Sequence, residues 1–137
     1  MSEKTFKLDI VTPARIVFSG DVVSFSAPGV IGGFQILYNH APMLAEIGIG
    51  EIKFTNSDGQ EYFYATSGGY VDVANNRVAL LAETVERADE IDTVRAETAF
   101  DKSHTQISSI QSEEKRLEIK QAIERAQNRI RIAKKRK

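Results

Sequence analysis

The sequence predicts a β plus α protein. An N-terminal β-sandwich of about ten short strands occupies residues 1–87, and a C-terminal antiparallel two-helix hairpin occupies residues 88–137. Three observations carry this. All nine glycines and all three prolines lie at or before Gly69, so turn chemistry stops where the second part begins. Ten of the eleven aromatic residues lie at or before Tyr70, with Phe100 the exception. Charge divides in the same way: residues 1–87 carry −4 and residues 88–137 carry +3, which together give the overall −1.

Within the first part, Phe6, Leu8 and Ile10 alternate with Lys7, Asp9 and Val11, the period of two expected of a half-buried strand. Thr12-Pro13 ends that run. Further short apolar runs cover residues 16–18, 22–27, 33–37, 45–49, 51–55, 61–66, 70–74 and 78–82. Between them stand Pro28-Gly29, Gly32-Gly33, Asn56-Ser57-Asp58-Gly59, Ser67-Gly68-Gly69 and Asn75-Asn76, which supply the positive φ or pre-set bends that turns need. Strands this closely spaced leave no room for crossover helices, which favours a sandwich or barrel over a parallel α/β sheet.

The second part has helical periodicity. Asp89 or Asp92 serves as N-cap of a first helix with Ile91, Val94 and Ala99 on one side. The serines at 103, 108, 109 and 112 favour a turn. A second helix then opens with Ser112 followed by Glu113 and Glu114, acids placed where the helix dipole is positive. Ile119, Ile123, Ala126, Ile130 and Ala133 recur at spacings of four and three, a narrow seam of coiled-coil width. The tail over residues 134–137 is wholly basic. Two short helices with narrow stripes are marginal alone, so the pair is suited to more than one arrangement, whereas the sandwich should be rigid.

Composition excludes several classes. At 137 residues, 42% hydrophobic and 27% charged, the chain is an ordinary globular protein of about one domain plus an appendage. A net charge of −1 argues against nucleic acid as a partner. Without cysteine there is no disulfide framework and no thiolate ligand. The first 30 residues lack the pattern of a cleaved signal, and no run of 18 apolar residues could span a membrane, so the chain reads as intracellular.

Catalysis and metal binding are not expected. Only two histidines are present. His40 reads as a turn residue bonding to backbone, and His104 as a solvated helix-end residue. Neither comes with a nucleophile or with clustered carboxylates. Gly32-Gly33 lacks the lysine and following helix of a phosphate loop. One constellation remains. Asp92 and Arg95 are spaced i, i+3 on the first helix, and Arg125 and Arg129 are spaced i, i+4 on the second, so a hairpin could point all four into one cleft. Converging guanidiniums would repel one another unless an anion lay among them, and their forks suit phosphate oxygens. Spacing alone is also served by the plainer alternative, in which Asp92–Arg95 is a capping pair and Glu118, Gln121 and Glu124 solvate the arginines.

Across its whole length the sequence resembles the epsilon subunit of bacterial-type rotary ATP synthases. The matching stretches are Gly33-Phe34-Gln35-Ile36-Leu37-x-x-His40-Ala41-Pro42-Met43-Leu44, Gly50-Glu51-Ile52, Ser67-Gly68-Gly69-Tyr70-Val71-x-Val73, Leu81-Ala82-Glu83-Thr84 and Ile91-Asp92-x-x-Arg95-Ala96. The resemblance implies a non-catalytic subunit that couples the rotor ring to the catalytic hexamer. Its sandwich would bind the gamma subunit and rotor-ring subunits, and its mobile helices would reach the alpha and beta subunits and inhibit ATP hydrolysis. ATP binding is implied by the Ile91-Asp92-x-x-Arg95-Ala96 motif together with Arg125-Ala126-Gln127-Asn128-Arg129, with Glu86 taking part from upstream and Lys102 adding charge. Those residues (Glu86, Ile91, Asp92, Arg95, Ala96, Lys102, Arg125 and Arg129) are the candidate site. ATP would then be a regulatory ligand, with no obligatory cofactor and no metal. A peripheral place on the cytoplasmic face of a bacterial plasma membrane, or on a plastid thylakoid, also follows from the resemblance. A member of the family without useful ATP binding is one alternative. A free-standing β-sandwich binding module with a helical tail is another, but it leaves the motifs unexplained.

Overall fold

A computed structural model describes residues 4–107 and 113–136. The chain divides into two compact units, Met1–Glu86 and Arg87–Lys137.

Nine strands are described, in line with the expected sandwich of about ten: β1 (Phe6–Val11), β2 (Ile16–Ala27), β3 (Phe34–Ile36), β4 (Met43–Ile47), β5 (Gly50–Asn56), β6 (Glu61–Thr66), β7 (Gly69–Ala74), β8 (Arg77–Ala82) and β9 (Val85–Arg87). Hydrogen bonding follows the order β4-β7-β8-β1-β2-β5-β6-β9, with β3 also on β2. The β1–β2, β2–β3, β2–β5, β4–β7, β5–β6 and β7–β8 pairs are antiparallel, and the β1–β8 pair is parallel.

The sandwich turns its corner along β2. Residues 16–22 of that strand pair with β1, and residues 22–27 pair with β5 and β3, with a shift of register between Val22 and Ser24. The two runs expected at 16–18 and 22–27 are therefore one strand of 12 residues. Ser19 and Asp21, which look like turn residues, belong to that strand and pair with Asp9 and Lys7. Ser19 Oγ donates to Asp9 Oδ1 at 2.6 Å. Gly20 lies opposite Leu8.

The alternation in β1 is borne out, since Phe6, Leu8 and Ile10 are buried and Lys7, Asp9 and Val11 are half-buried. From the other strands Val22, Phe25, Ile36, Ile52, Phe54, Val71, Val73, Val78 and Leu80 join the core. Phe54 packs on Phe18, Tyr62 and Tyr64 at centroid distances of 4.4, 5.0 and 5.7 Å. Truncating Phe54 to alanine is expected to cost about 3–5 kcal/mol of unfolding free energy, measured as a lower urea midpoint at unchanged slope.

Two turns position the sheet. Asn75 and Asn76, at φ 53° and 58°, form the two-residue hairpin turn between β7 and β8. Asn76 also ties neighbouring chain together, because its Nδ2 donates to the Thr5 carbonyl at 2.8 Å and its Oδ1 accepts from the Asn39 amide at 2.7 Å. At the start of β7 a Cβ on Gly69 would collide with the Leu81 carbonyl oxygen, so this close approach of two strands requires glycine.

The second unit holds a 3-10 turn at Ala88–Glu90, then α1 (Thr93–Ile107) and α2 (Glu113–Arg136). No helix among the described residues is long and apolar enough to cross a membrane. Of the two candidate caps, Asp92 is the one used. Its Oδ1 accepts from the Arg95 amide at 3.0 Å, and its carbonyl accepts from the Ala96 amide at 3.0 Å. The serines at 108, 109 and 112 and the last lysine, Lys137, lie outside the described residues.

The phase expected for α1 is corrected. Val94 is 71% exposed and Ala99 is exposed, whereas Ala96 is fully buried and Thr93, Phe100 and Ser103 are half-buried around it. Those four recur at spacings of three, four and three, which is one helical face. The seam expected on α2 is also too narrow. Ala126 and Ala133 are buried and Ile119, Ile123 and Ile130 half-buried, but Asn128 and Ile132 are buried as well. In the last three turns the covered arc is roughly 200° wide at 3.6 residues per turn.

Candidate functional site

One ion pair joins the two helices. Lys134 Nζ lies 3.3 Å from Glu97 Oε1. That ion pair joins the last turn of α2 to the second turn of α1, and α2 also packs against the 3-10 turn that precedes α1. The helices therefore run antiparallel. Glu97 follows the buried Ala96, and Lys134 follows the buried Ala133. Each is turned about 100° from the buried alanine before it, so the pair marks one edge of the hairpin.

Counting in the opposite sense defines the other edge. Arg95 precedes Ala96 by one residue, and Lys102 lies seven residues beyond Arg95 on the same side. On α2, Arg125 precedes Ala126 by one, and Arg129 follows it a helical turn along. In an antiparallel pair these flanks adjoin, so Arg95, Lys102, Arg125 and Arg129 all line the edge away from the ion pair. Asp92 stands at the start of α1 on the same flank.

With Glu97 opposite Lys134, Arg129 is about level with Lys102 and Arg125 with Gln106. Asp92 lies roughly 20 Å along the axis from Arg125 at 1.5 Å per residue. The edge thus presents an acid at one end and three cations at the other, with Arg95 between. Arg95, Lys102 and Arg125 are exposed, and Arg129 is half-buried. Ile91 and Ala96 are buried beneath the acidic end. Glu86 is half-buried on β9, five residues ahead of Ile91.

Sequence reasoning missed three features. Asn128 is 3% exposed, and its Oδ1 accepts from Arg131 Nη2 at 2.6 Å. Arg87 Nε pairs with Asp89 Oδ1 at 2.9 Å across the 3-10 turn. The Glu97–Lys134 pair is the third. The Glu97–Lys134 pair has no local signature, because it depends on the phase of both helices. The bland readings of the histidines hold: His40 Nδ1 lies 2.7 Å from the Ala41 carbonyl, and His104 is exposed beside Phe100.

Replacing Asp92 with alanine removes the cap of α1 and is expected to cost about 1 kcal/mol of local stability, read as faster amide exchange at Arg95 and Ala96. Asparagine at the same position keeps the accepting oxygen and should leave exchange nearly unchanged.

A second surface lies on the sandwich. Reading across paired residues, Glu46, Tyr70, Leu81, Val11 and Ile16 form one row over β4, β7, β8, β1 and β2. Tyr70, Leu81 and Ile16 are 55%, 54% and 66% exposed, and Leu44, two residues before Glu46, is 73% exposed. Large apolar side chains open to water on β7, β8 and β2, with Leu44 on β4 beside them, mark an interaction face.

Residues 5–88 match the family model described as "ATP synthase, Delta/Epsilon chain, beta-sandwich domain". The chain is also 37% identical over 135 residues to the ATP synthase epsilon chain of Syntrophomonas wolfei, covering 98% of both. It belongs to the ATP synthase epsilon-chain family. The epsilon chain of Citrifermentans bemidjiense is 39% identical over 134 residues, covering 97% of this chain and 96% of that one. Among solved structures, a chain of the Euglena gracilis mitochondrial ATP synthase (OSCP/F1/c-ring) superposes with TM-score 0.80 at 17% identity, covering 92% of this epsilon chain and 79% of the other. At that identity the likeness speaks for the fold. The sandwich and helices of this epsilon-family member are thus those of a subunit of the ATP synthase.

Proposed function

We propose that this epsilon chain is a non-catalytic central-stalk subunit whose C-terminal helices restrain ATP hydrolysis, with ATP stabilising their hairpin arrangement. The observation that carries the reading is the placement of Asp92, Arg95, Lys102, Arg125 and Arg129 along one edge of the hairpin. A ligand carrying several negative charges at one end and hydrogen-bonding donors at the other suits that edge. ATP is such a molecule, its phosphates lying toward Lys102, Arg125 and Arg129 and its adenine toward Asp92. The second oxygen of Asp92 would accept from the base while the first caps α1.

In the hairpin, ATP relieves the repulsion among the cations. When the helices open along the gamma subunit into the alpha and beta hexamer, that edge is dismantled and ATP loses its contacts. The ligand shifts the balance only by this difference in affinity. Scarce ATP then favours the inhibitory form, in which Arg131 and the basic tail meet acidic surface on the catalytic subunits. The row formed by Tyr70, Leu81, Val11 and Ile16 supports docking of the sandwich on the stalk, with the gamma subunit and rotor ring as partners. The site would be peripheral to the membrane.

Two measurements test this. A tagged chain should co-purify gamma, alpha and beta subunits; recovery of the chain alone would favour a free-standing binding module. Calorimetric titration of the isolated chain should give one ATP site. A flat titration would leave a stalk subunit without nucleotide control.

A further inference from the structure

We propose that Ser67 and Thr84 form a hydroxyl clamp, which stops rearrangement of the second unit at β9 and keeps it from spreading into the strand ends behind. Ser67-Gly68-Gly69 and Thr84 belong to the stretches shared with the family, yet they lie outside both the nucleotide edge and the apolar face.

The clamp follows from the order of the strands. β5, β6 and β9 lie on one side of the corner in β2, and β1, β8, β7 and β4 lie on the other. The chain therefore crosses between layers twice more, from β6 to β7 at residues 67–68 and from β8 to β9 at residues 83–84. The β7–β8 ladder pairs Gly69 with Ala82, and the same register continued outward brings Ser67 opposite Thr84. Two glycines permit the approach. Gly68 turns the chain at φ 114°, and Gly69 lets β7 close on the Leu81 carbonyl.

Where the crossings meet, every polar group of Thr84 is engaged. Its amide donates to Ser67 Oγ at 3.2 Å, and its hydroxyl donates to the same oxygen at 2.7 Å. Its carbonyl accepts from the Ser67 amide at 3.3 Å and from Thr66 Oγ1 at 3.2 Å. Thr66 is 2% exposed, and its hydroxyl oxygen accepts from the Gly68 amide at 3.2 Å. Ser67 Oγ thus stands where a ladder would supply a carbonyl. The next residue, Val85, is buried in the sandwich core. β9 itself has three residues and ends the hydrogen-bonding order, and the second unit begins at its last residue, Arg87. A strand so short at an edge opens easily, so fraying that starts in the helices meets Thr84 next.

For the brake, a stop at this point leaves the sandwich intact while the helices change arrangement. That consequence rests on the function proposed above, whereas the clamp does not.

Amide exchange of the full chain, without nucleotide, tests the stop. Ala96→Asp puts a charge at the fully buried contact of α1 and should open the helices, giving fast exchange across α1 and α2. With Ser67 in place, the amides at 67 and 68 should keep their native rates. Adding Ser67→Ala removes two hydrogen bonds and should speed them about tenfold, with β1 and β5 unchanged. Ser67→Thr in the same background keeps the hydroxyl and should keep the native rates. In the closed chain, Ser67→Ala should speed these amides less. Fast exchange at 67 and 68 with serine in place would overturn the clamp, and so would an equal effect of Ser67→Ala in open and closed chains. Equal acceleration of β1 and β5 would overturn it too, since Ser67 would then add only to the general stability of the sandwich. With ATP and the other subunits absent, the outcome is independent of nucleotide binding and of the brake.

Discussion

Replacing Arg125 and Arg129 together with alanine should abolish measurable ATP binding by the isolated chain while leaving its fold intact. Both side chains stand on the cationic edge of the hairpin, one exposed and one half-buried, and neither contributes apolar surface to the sandwich core. A hydrogen bond to a charged group is worth about 1.5–3 kcal/mol, so losing two guanidinium contacts weakens binding by about a hundredfold or more. Lysine at both positions keeps the charge but loses the bidentate fork, and an intermediate loss is expected. An unchanged calorimetric titration of the alanine variant would exclude this edge as the nucleotide site.

Removing residues 88–137 should raise ATP hydrolysis by the assembled complex several-fold and leave assembly and synthesis largely intact. The expectation rests on the division of the chain. Unit Met1–Glu86 carries its own core, built from Phe25, Phe54, Leu8, Ile10 and their neighbours, and it also carries the exposed apolar row. The deleted part contains both helices and the whole basic tail over residues 134–137. Hydrolysis that stays at the native level would mean that the helices are not a brake.

How far the sequence foretold the structure depends on the element. Phe6, Leu8 and Ile10 announce β1 because one face is buried and one is not. The continuity of β2 was hidden by Ser19-Gly20-Asp21, residues that usually end strands. Here Ser19 and Asp21 pair across to β1, and Ser19 bonds Asp9. β9 is only three residues long, too short for any period to emerge. In the helices, size misled. Val94 looked like the anchor of α1, but phase is set by Asp92 at the cap and by Ala96 beneath it. Asn128 and Ile132 widen the covered arc of α2 in a way that a seam drawn through Ile119, Ile123 and Ile130 does not reveal. The site residues themselves were visible as a motif. Their common edge became apparent only from the Glu97–Lys134 pair, which joins positions 37 residues apart and has no signal in either helix alone.

Amide hydrogen exchange of the isolated chain, with and without ATP at cellular concentration, tests the nucleotide-stabilised hairpin most directly. The account predicts slower exchange across α1 and α2 when ATP is present, with β1, β5 and β8 unchanged as internal controls. Exchange in the helices that is the same with and without ATP would contradict it.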